Sequence, residues 1–208
     1  MKHLKRFNEN LEFEDDMQFW HGGDLDNYDD IIAQKNGRYE YGPGLYLTTH
    51  YDTAKKYAKG RRKFYLISVE KGNDINKSLL DIDSVKQFIL KYVIKSKQKE
   101  ILQRVEKYNK VNTIKGYIFN NILLNEKALS PRNTSKLRQF LIDNGIDYEI
   151  VDNPFGWGEK MMVLYNMKKI KDVRKITSKD KIDNYDLLKS FKKSSKVNSL
   201  LSPFDKLS

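Results

Sequence analysis

The sequence contains no cysteine and only three histidines, His3, His21 and His50. Disulfide bonds, thiolate metal sites and a cysteine nucleophile are therefore excluded, and three histidines are too few for a histidine-rich metal site. If the chain is an enzyme, we expect a mechanism that needs no metal.

Long apolar runs are also missing. No stretch approaches the roughly 18 apolar residues of a membrane span. The charged N-terminus is followed by the acidic run 12–16 and not by the apolar core of a signal peptide. We therefore expect a soluble protein, cytoplasmic where it is made, with no membrane partner, which could act in a host cell.

What the chain does contain is enough apolar and aromatic material for one folded domain. It has 208 residues, of which 39% are hydrophobic and 12% aromatic, unlike a disordered chain. The formal net charge is +11, from 39 Lys and Arg against 28 Asp and Glu. Such an excess attracts polyanions, so nucleic acid or a dinucleotide fits, although solubility alone is an equally good reason for it.

The first part of the chain is predicted to be rich in strands. The apolar runs 44–48 and 64–69 predict two strands separated by turns. Between them, residues 51–59 carry Ala54, Tyr57 and Ala58 at helical spacing, which predicts a short helix.

The middle of the chain is predicted to be helical. Apolar residues at helical spacing predict one long or broken helix over 84–108, beginning at a capping box formed by Ser84 and Gln87. Further helices are predicted over 116–124 and 134–143, and the latter should stop at Asn144-Gly145.

Short strands follow these helices. Strands are expected over 146–151, 160–165 and 168–176, and the first two are joined by a Gly- and Pro-rich segment. We expect a catalytic domain over 1–176, with a helical insertion at about 78–130. Residues 177–208 form a basic appendage or tail.

Four side chains stand out as candidates for chemistry. His21 is expected at the end of a strand, where it is either a ligand-binding residue or an ordinary histidine. Tyr46 and Tyr57 could be binding-site or core aromatics. Glu159 starts a strand after a Gly-rich segment, so it is either a solvated strand end or a carboxylate at the rim of a cleft.

Taken in chain order, these pieces resemble one family. The segments are 19–23 (FWHGG), 42–48 (GPGLYLT), 54–57 (AKKY) and 159–165 (EKMMVLY), with Tyr57 eleven residues after Tyr46. They resemble the ADP-ribosyltransferases with a His-Tyr-Glu signature, which include the poly(ADP-ribose) polymerases and diphtheria-type toxins. The resemblance covers roughly residues 17–75 and 135–176.

The resemblance implies an α+β fold in which split antiparallel sheets form an NAD cleft. It also implies that His21 and Gly22 hold the NAD ribose and nicotinamide amide, while Tyr46 and Tyr57 hold the nicotinamide ring. Glu159 would stabilise the oxocarbenium-like centre that forms when the nicotinamide-ribose bond breaks. NAD is then the substrate, and no metal is needed.

Two positions depart from the family pattern. Polymerases commonly have a serine that bonds the nicotinamide amide where this chain has Ala54, a loss for which Thr48, Thr49 or Thr53 could compensate. Arginine-directed toxins have Glu or Gln where this chain has Trp157, so we do not expect arginine modification.

Three functions follow as hypotheses. The first is a monomeric mono-ADP-ribosyltransferase whose acceptor is protein or nucleic acid. The net charge and the exposed-looking Phe155 and Trp157 of an acceptor loop favour nucleic acid slightly. The second is an NAD glycohydrolase toxin of the same fold, and the third is a basic nucleic-acid-binding protein without enzymatic activity.

Overall fold

A computed structural model of the chain describes residues 16–25, 41–58, 63–152 and 158–177. Within these residues the strands are β1 Met17–Gly22, β2 Leu45–Thr48, β3 Phe64–Val69, β4 Leu79–Asp81, β5 Thr113–Lys115, β6 Tyr148–Asp152, β7 Lys160–Leu164 and β8 Ile170–Lys175. The helices are α1 Tyr51–Tyr57, α2 Ile82–Tyr92, α3 Lys95–Lys107, α4 Gly116–Asn125 and α5 Pro131–Asp143, and a 3-10 turn, Met167–Lys169, precedes β8.

A six-stranded antiparallel sheet organises the molecule, with strand order β6-β7-β2-β1-β3-β8. Strand β1 pairs with β3 along its whole length, from Met17 opposite Val69 to Gly22 opposite Phe64. Among the described residues, β1 and β2 share a single aligned pair, Trp20 opposite Thr48. The sheet is continuous, and this narrow junction divides it into two halves of three strands each, β6-β7-β2 and β1-β3-β8. The predicted α+β class with antiparallel sheets is confirmed.

One face of both halves contributes to a shared core. Along β2, Leu45 and Leu47 point into this core while Tyr46 and Thr48 point away, as the two-residue period of a strand requires. The buried residues of this shared core include Phe19, Leu47, Ile67, Val69, Met162 and Leu164. Burial of these side chains holds the halves together despite their narrow junction, because apolar burial contributes about 25 cal/mol per Å².

Helix α1 packs on the opposite face of β1, where a glycine allows close approach. Trp20 stacks on Phe64 with ring centroids 5.4 Å apart, and Ala54 and Ala58 join the same apolar cluster. A Cβ atom at Gly22 would lie 1.8 Å from the Ala54 carbonyl oxygen. Strand β1 and helix α1 therefore fix each other's position beside His21.

Helices α2 to α4 lie within the predicted insertion of about 78–130, and together with α5 they form an apolar core of their own against the sheet. Phe88, Phe119 and Leu141 belong to this core, together with Val163 and Tyr165 from the β7 end of the sheet. The helices thus pack on the face of β7 and β2 that carries Tyr46. The insertion also contains a two-stranded sheet, β4 with β5, which the sequence pattern did not predict.

The predicted helix over 84–108 is two helices, and its predicted cap is wrong. The break falls at Val93, which forms an isolated bridge with Leu129, and the Ile94 amide donates to the Ala128 carbonyl at 3.0 Å. The N-cap of α2 is Asp81, whose carboxylate accepts from the Ser84 amide at 2.8 Å. Ser84 therefore lies inside the helix, because an acidic cap is available three residues earlier.

The other predicted elements are present with small shifts in their bounds. Helix α5 begins three residues before its predicted start, with Pro131 in the first turn, where proline loses no hydrogen bond. It ends as predicted, with Gly145 at φ 75°. Of the predicted basic appendage over 177–208, the described residues include Thr177 alone. None of the described helices is long and apolar enough to span a membrane.

Candidate functional site

His21 occupies the penultimate position of β1, at the junction between the two halves of the sheet. Its Nδ1 lies 2.9 Å from the backbone carbonyl oxygen of Tyr46 on β2. A carbonyl can only accept, so Nδ1 carries the hydrogen and Nε2 of the neutral ring is left as an acceptor. In the part of the chain that the structure describes, the buried Nε2 has no hydrogen-bond partner.

The environment keeps the His21 ring neutral. Burial lowers its pKa, and the hydrogen bond to the Tyr46 carbonyl offsets part of that effect. A neutral imidazole with a buried, unpartnered acceptor is suited to bind a hydroxyl donor such as a sugar. The choice between a ligand-binding residue and an ordinary histidine, which the sequence left open, stays a prediction.

Glu159 directly precedes β7 and is buried, with an exposed fraction of 1%. The Thr48 hydroxyl donates to its Oε1, and Nδ1 of His50 lies 3.7 Å from its Oε2. The alternative of a solvated strand end is therefore wrong. A buried carboxylate that keeps polar partners interacts strongly with nearby charge, because little water screens it.

The position of Glu159 is set by pairing with Lys160, the first residue of β7, that continues past the end of β2. The Thr49 amide donates to the Lys160 carbonyl at 3.0 Å, and the Lys160 amide donates to the Thr49 hydroxyl at 3.0 Å. This pairing follows the register in which Thr48 lies opposite Met161. It places Glu159 beside the end of β2.

The two candidate groups therefore attach to the same short strand. His21 bonds the backbone of Tyr46, and Glu159 bonds the side chain of Thr48, two residues further along β2. Two residues of a strand span about 7 Å. Both candidate groups are thus anchored to β2, near the centre of the sheet, His21 through a backbone carbonyl and Glu159 through the Thr48 hydroxyl.

The two candidate tyrosines lie in different surroundings. Tyr46 is partly buried against the insertion, and its hydroxyl donates to the Gly42 carbonyl at 2.9 Å and accepts from the Tyr41 amide at 3.2 Å. Tyr57 ends helix α1 with 64% of its surface exposed. The core-aromatic alternative is therefore wrong for Tyr57.

The remaining candidate residues have different outcomes. The Thr48 hydroxyl is committed to Glu159 and also accepts from the His50 amide at 3.0 Å. Phe155 and Trp157, predicted for an acceptor loop, lie outside the described residues. Among the residues that the structure describes, no group of three His, Asp or Glu could hold a metal ion.

A second buried carboxylate, Glu149 on β6, was not predicted from the sequence. The Tyr165 hydroxyl lies 2.9 Å from its Oε2, and the Asn120 amide donates to the same oxygen at 3.0 Å. The pKa of Glu149 is raised to about 7, because burial and the nearby Asp74 raise it more than the hydrogen bonds from Tyr165 and Asn120 lower it. This cluster joins helix α4 to the sheet.

His50 was also missed as a site residue. The alternation Thr48-Thr49-His50 puts Thr48 and His50 on the same side of an extended strand, which is a usable signal in the sequence. The pairing with Lys160 that brings Glu159 beside them is a tertiary feature that one sequence does not specify.

No family model, curated protein or solved structure matches the chain. The functional assignment therefore depends on the geometry of this site and on the order of its sequence motifs.

Proposed function

We propose that the protein is a mono-ADP-ribosyltransferase with an ADP-ribosyltransferase-like fold. It cleaves the bond between nicotinamide and ribose in NAD and transfers ADP-ribose to a macromolecular acceptor. The observation that carries this proposal is the attachment of His21 and Glu159 to neighbouring points of β2. That strand lies at the junction of the two halves of the sheet, where the NAD cleft would form.

His21 would bind the substrate through Nε2. Because Nδ1 is held by the Tyr46 carbonyl, the free Nε2 lone pair can accept a hydrogen bond from a ribose hydroxyl of NAD. The backbone beside it, at Gly22, would contact the nicotinamide amide. The exposed Tyr57 ring and the Tyr46 ring would hold the flat nicotinamide.

Glu159 would stabilise the charge that develops on the ribose as nicotinamide leaves. A buried carboxylate held by Thr48 needs little reorganisation at that moment, which is the condition for efficient electrostatic catalysis. Thr48 then acts by positioning Glu159, and not by contacting the nicotinamide amide. Because Glu159 is 1% exposed, NAD reaches it only when neighbouring groups move aside, so binding involves a local opening.

The acceptor is proposed to be nucleic acid in preference to protein. The net charge of +11 favours binding to a phosphate backbone. Transfer to nucleic acid should then weaken as salt rises to a few tenths molar, whereas release of nicotinamide without a macromolecule should not.

The fate of labelled ADP-ribose tests the proposal. Purified protein is incubated with NAD labelled in its adenylate part, with nucleic acid or with lysate protein, and free nicotinamide and label are followed separately. We expect release of nicotinamide and label on a macromolecule. Label found only as free ADP-ribose would identify an NAD glycohydrolase, and unchanged NAD would favour a binding protein without enzymatic activity.

A matched pair of variants assigns the activity to the site. Glu159→Gln should abolish nicotinamide release, since the neutral amide cannot stabilise the developing charge. Glu149→Gln makes the same chemical change at another buried glutamate of the sheet, which bonds Tyr165 and Asn120 and not Thr48. It should retain the activity. Equal activity in the two variants would contradict the role of Glu159.

A further inference from the structure

His50, the N-cap residue of helix α1, lies next to the buried Glu159 carboxylate. Its Nδ1 is 3.7 Å from Glu159 Oε2, and its side chain is 31% exposed whereas that of Glu159 is 2% exposed. His50 is therefore a partly exposed side chain in contact with a buried carboxylate of the proposed site.

The backbone of His50 is held from both sides. Its amide donates to the Thr48 hydroxyl at 3.0 Å, and its carbonyl accepts from the Ala54 amide at 3.2 Å in the first turn of α1. Since Thr48 also bonds Glu159, one threonine hydroxyl fixes both the carboxylate and the histidine backbone. The imidazole is therefore presented to the carboxylate by the main chain.

The Glu159 carboxylate, 3.7 Å from Nδ1, fits a ring that carries its hydrogen on Nδ1. In that tautomer the lone pair of Nε2 is left as a base. Among the described residues, no further partner of the His50 ring is found besides Glu159.

We infer that His50 is the general base that deprotonates the acceptor, and that the acceptor atom is a hydroxyl oxygen. This inference rests on the proposed function. The acceptor oxygen forms a bond to C1′ of the nicotinamide ribose, and its proton passes to His50 Nε2. The C1′–N1 bond breaks with its electron pair going to the pyridinium, which leaves as neutral nicotinamide. The resulting imidazolium faces the Glu159 carboxylate.

The variant His50→Asn tests whether His50 acts as a base or only positions Glu159. In His50→Asn the side-chain amide can take the place of Nδ1 and keep the contact with Glu159, but no base remains. We expect kcat for nicotinamide release to fall by about 100-fold or more, with KM for NAD unchanged. Asp52→Asn, at an exposed position of α1, is the matched control and should behave as the parent protein.

Methanol and imidazole serve as the chemical probes. In the parent protein, methanol should compete with water and give methyl ADP-ribose, and turnover should show a normal solvent deuterium isotope effect. In His50→Ala, added imidazole should restore part of kcat. Thermal unfolding of each variant shows whether it has folded. A folded His50→Asn variant with the kcat of the parent would overturn the inference while leaving the proposed function intact.

Nitrogen chemical shifts of the histidine rings distinguish a failure of the general-base role of His50 from a failure of the proposed function. The unliganded parent protein should show His50 with hydrogen on Nδ1, and the ring signals should shift in Glu159→Gln. An Nε2–H tautomer would overturn the general-base role whether or not NAD is cleaved. No nicotinamide release from the parent protein would overturn the proposed function itself, and the role of His50 in that reaction with it.

Discussion

Glu149 is the buried acidic side chain whose ionisation links stability to pH. Burial among Tyr165, Asn120 and the sheet raises its pKa from 4.5 to about 7. The folded state therefore holds its proton more tightly than the unfolded chain does. The stability that this group contributes is complete below pH 4.5 and is lost as pH rises through about 7.

Glu149→Gln should remove this pH dependence. The side chain of the variant is neutral at every pH, so the variant escapes the loss of up to about 3 kcal/mol that the parent undergoes between pH 4.5 and alkaline pH. Urea unfolding at a series of pH values should show the variant gaining on the parent protein between pH 4.5 and about 7, with a constant difference at higher pH. Parallel stability curves for the two proteins would contradict this account of Glu149.

In the proposed function, Nδ1 of His21 has a structural role and Nε2 binds the substrate, and the two roles can be separated by mutation. His21→Asn should keep a donor to the Tyr46 carbonyl and lose the acceptor at Nε2. Since one hydrogen bond contributes about 1 kcal/mol, we expect KM for NAD to rise roughly fivefold to tenfold, with little change in the free energy of unfolding. Steady-state kinetics and urea unfolding provide the measurements.

The control for His21→Asn is His21→Ala, which leaves the Tyr46 carbonyl without its His21 donor. It should lose stability as well as affinity for NAD. If both variants kept the KM of the parent protein, His21 would not bind the substrate.

At the level of single residues, the sequence predicted part of the site. The position of His21 near a strand end is confirmed. Glu159, predicted to start a strand, directly precedes β7, and the roles of both residues toward NAD stay predictions. The partners of Glu159 could not be read from one sequence, because they depend on the register between β2 and β7. The same holds for Glu149, whose partners come from α4 and from the residue after β7.

At the level of elements, the N-terminus of α2 depends on an acidic cap. Asp81 accepts from the Ser84 amide, so Asp81→Ala should lower the free energy of unfolding by about 1 kcal/mol. Asp81→Asn should remain close to the parent, since asparagine caps almost as well as aspartate. An alanine variant as stable as the asparagine variant would show that the cap contributes nothing.

The contact between β1 and α1 depends on Gly22. In Gly22→Ala the new methyl group would meet the Ala54 carbonyl oxygen at 1.8 Å and the Ala58 amide nitrogen at 2.9 Å. Both are backbone atoms, so α1 has to move, and we expect a loss of about 1–3 kcal/mol or more. Denaturant unfolding measures the loss.

Lys56→Gly is the control within the same helix. Lys56 is exposed, and its replacement should cost about 1 kcal/mol through helix propensity alone. NAD turnover should survive in this variant and fall in Gly22→Ala, because only the latter displaces α1 from His21. If Gly22→Ala were as stable and active as the parent protein, the close packing described here would be wrong.

Elements with a long apolar pattern were predictable, and those fixed by tertiary contacts were not. Helices α4 and α5 and strands β2 and β3 follow from their periodicity. Strands β4 and β5 have three residues each, too few for an alternating pattern. The break between α2 and α3 depends on the bridge from Val93 to Leu129, which lies far along the chain.

At the level of the whole molecule, the site lies at the point where three packing units meet. Three apolar clusters each contain or contact a residue of β1 or β2. They are the cluster of Trp20 with Ala54 and Ala58 of α1, the shared core of the two halves, and the core formed by the other helices. Movement of one unit against another would therefore open the space beside His21 and Glu159. In the proposed function, such a movement would expose the buried Glu159 carboxylate to NAD.

A crystal structure of Glu159→Gln with intact NAD bound would show directly whether His21 and Glu159 hold the nicotinamide ribose. We expect His21 Nε2 at hydrogen-bond distance, about 2.7–3.2 Å, from a ribose hydroxyl of NAD. We also expect the side chain at position 159 next to the nicotinamide ribose, and the nicotinamide ring between Tyr46 and Tyr57. NAD bound elsewhere, or a nicotinamide ribose that contacts neither position 21 nor position 159, would contradict this expectation.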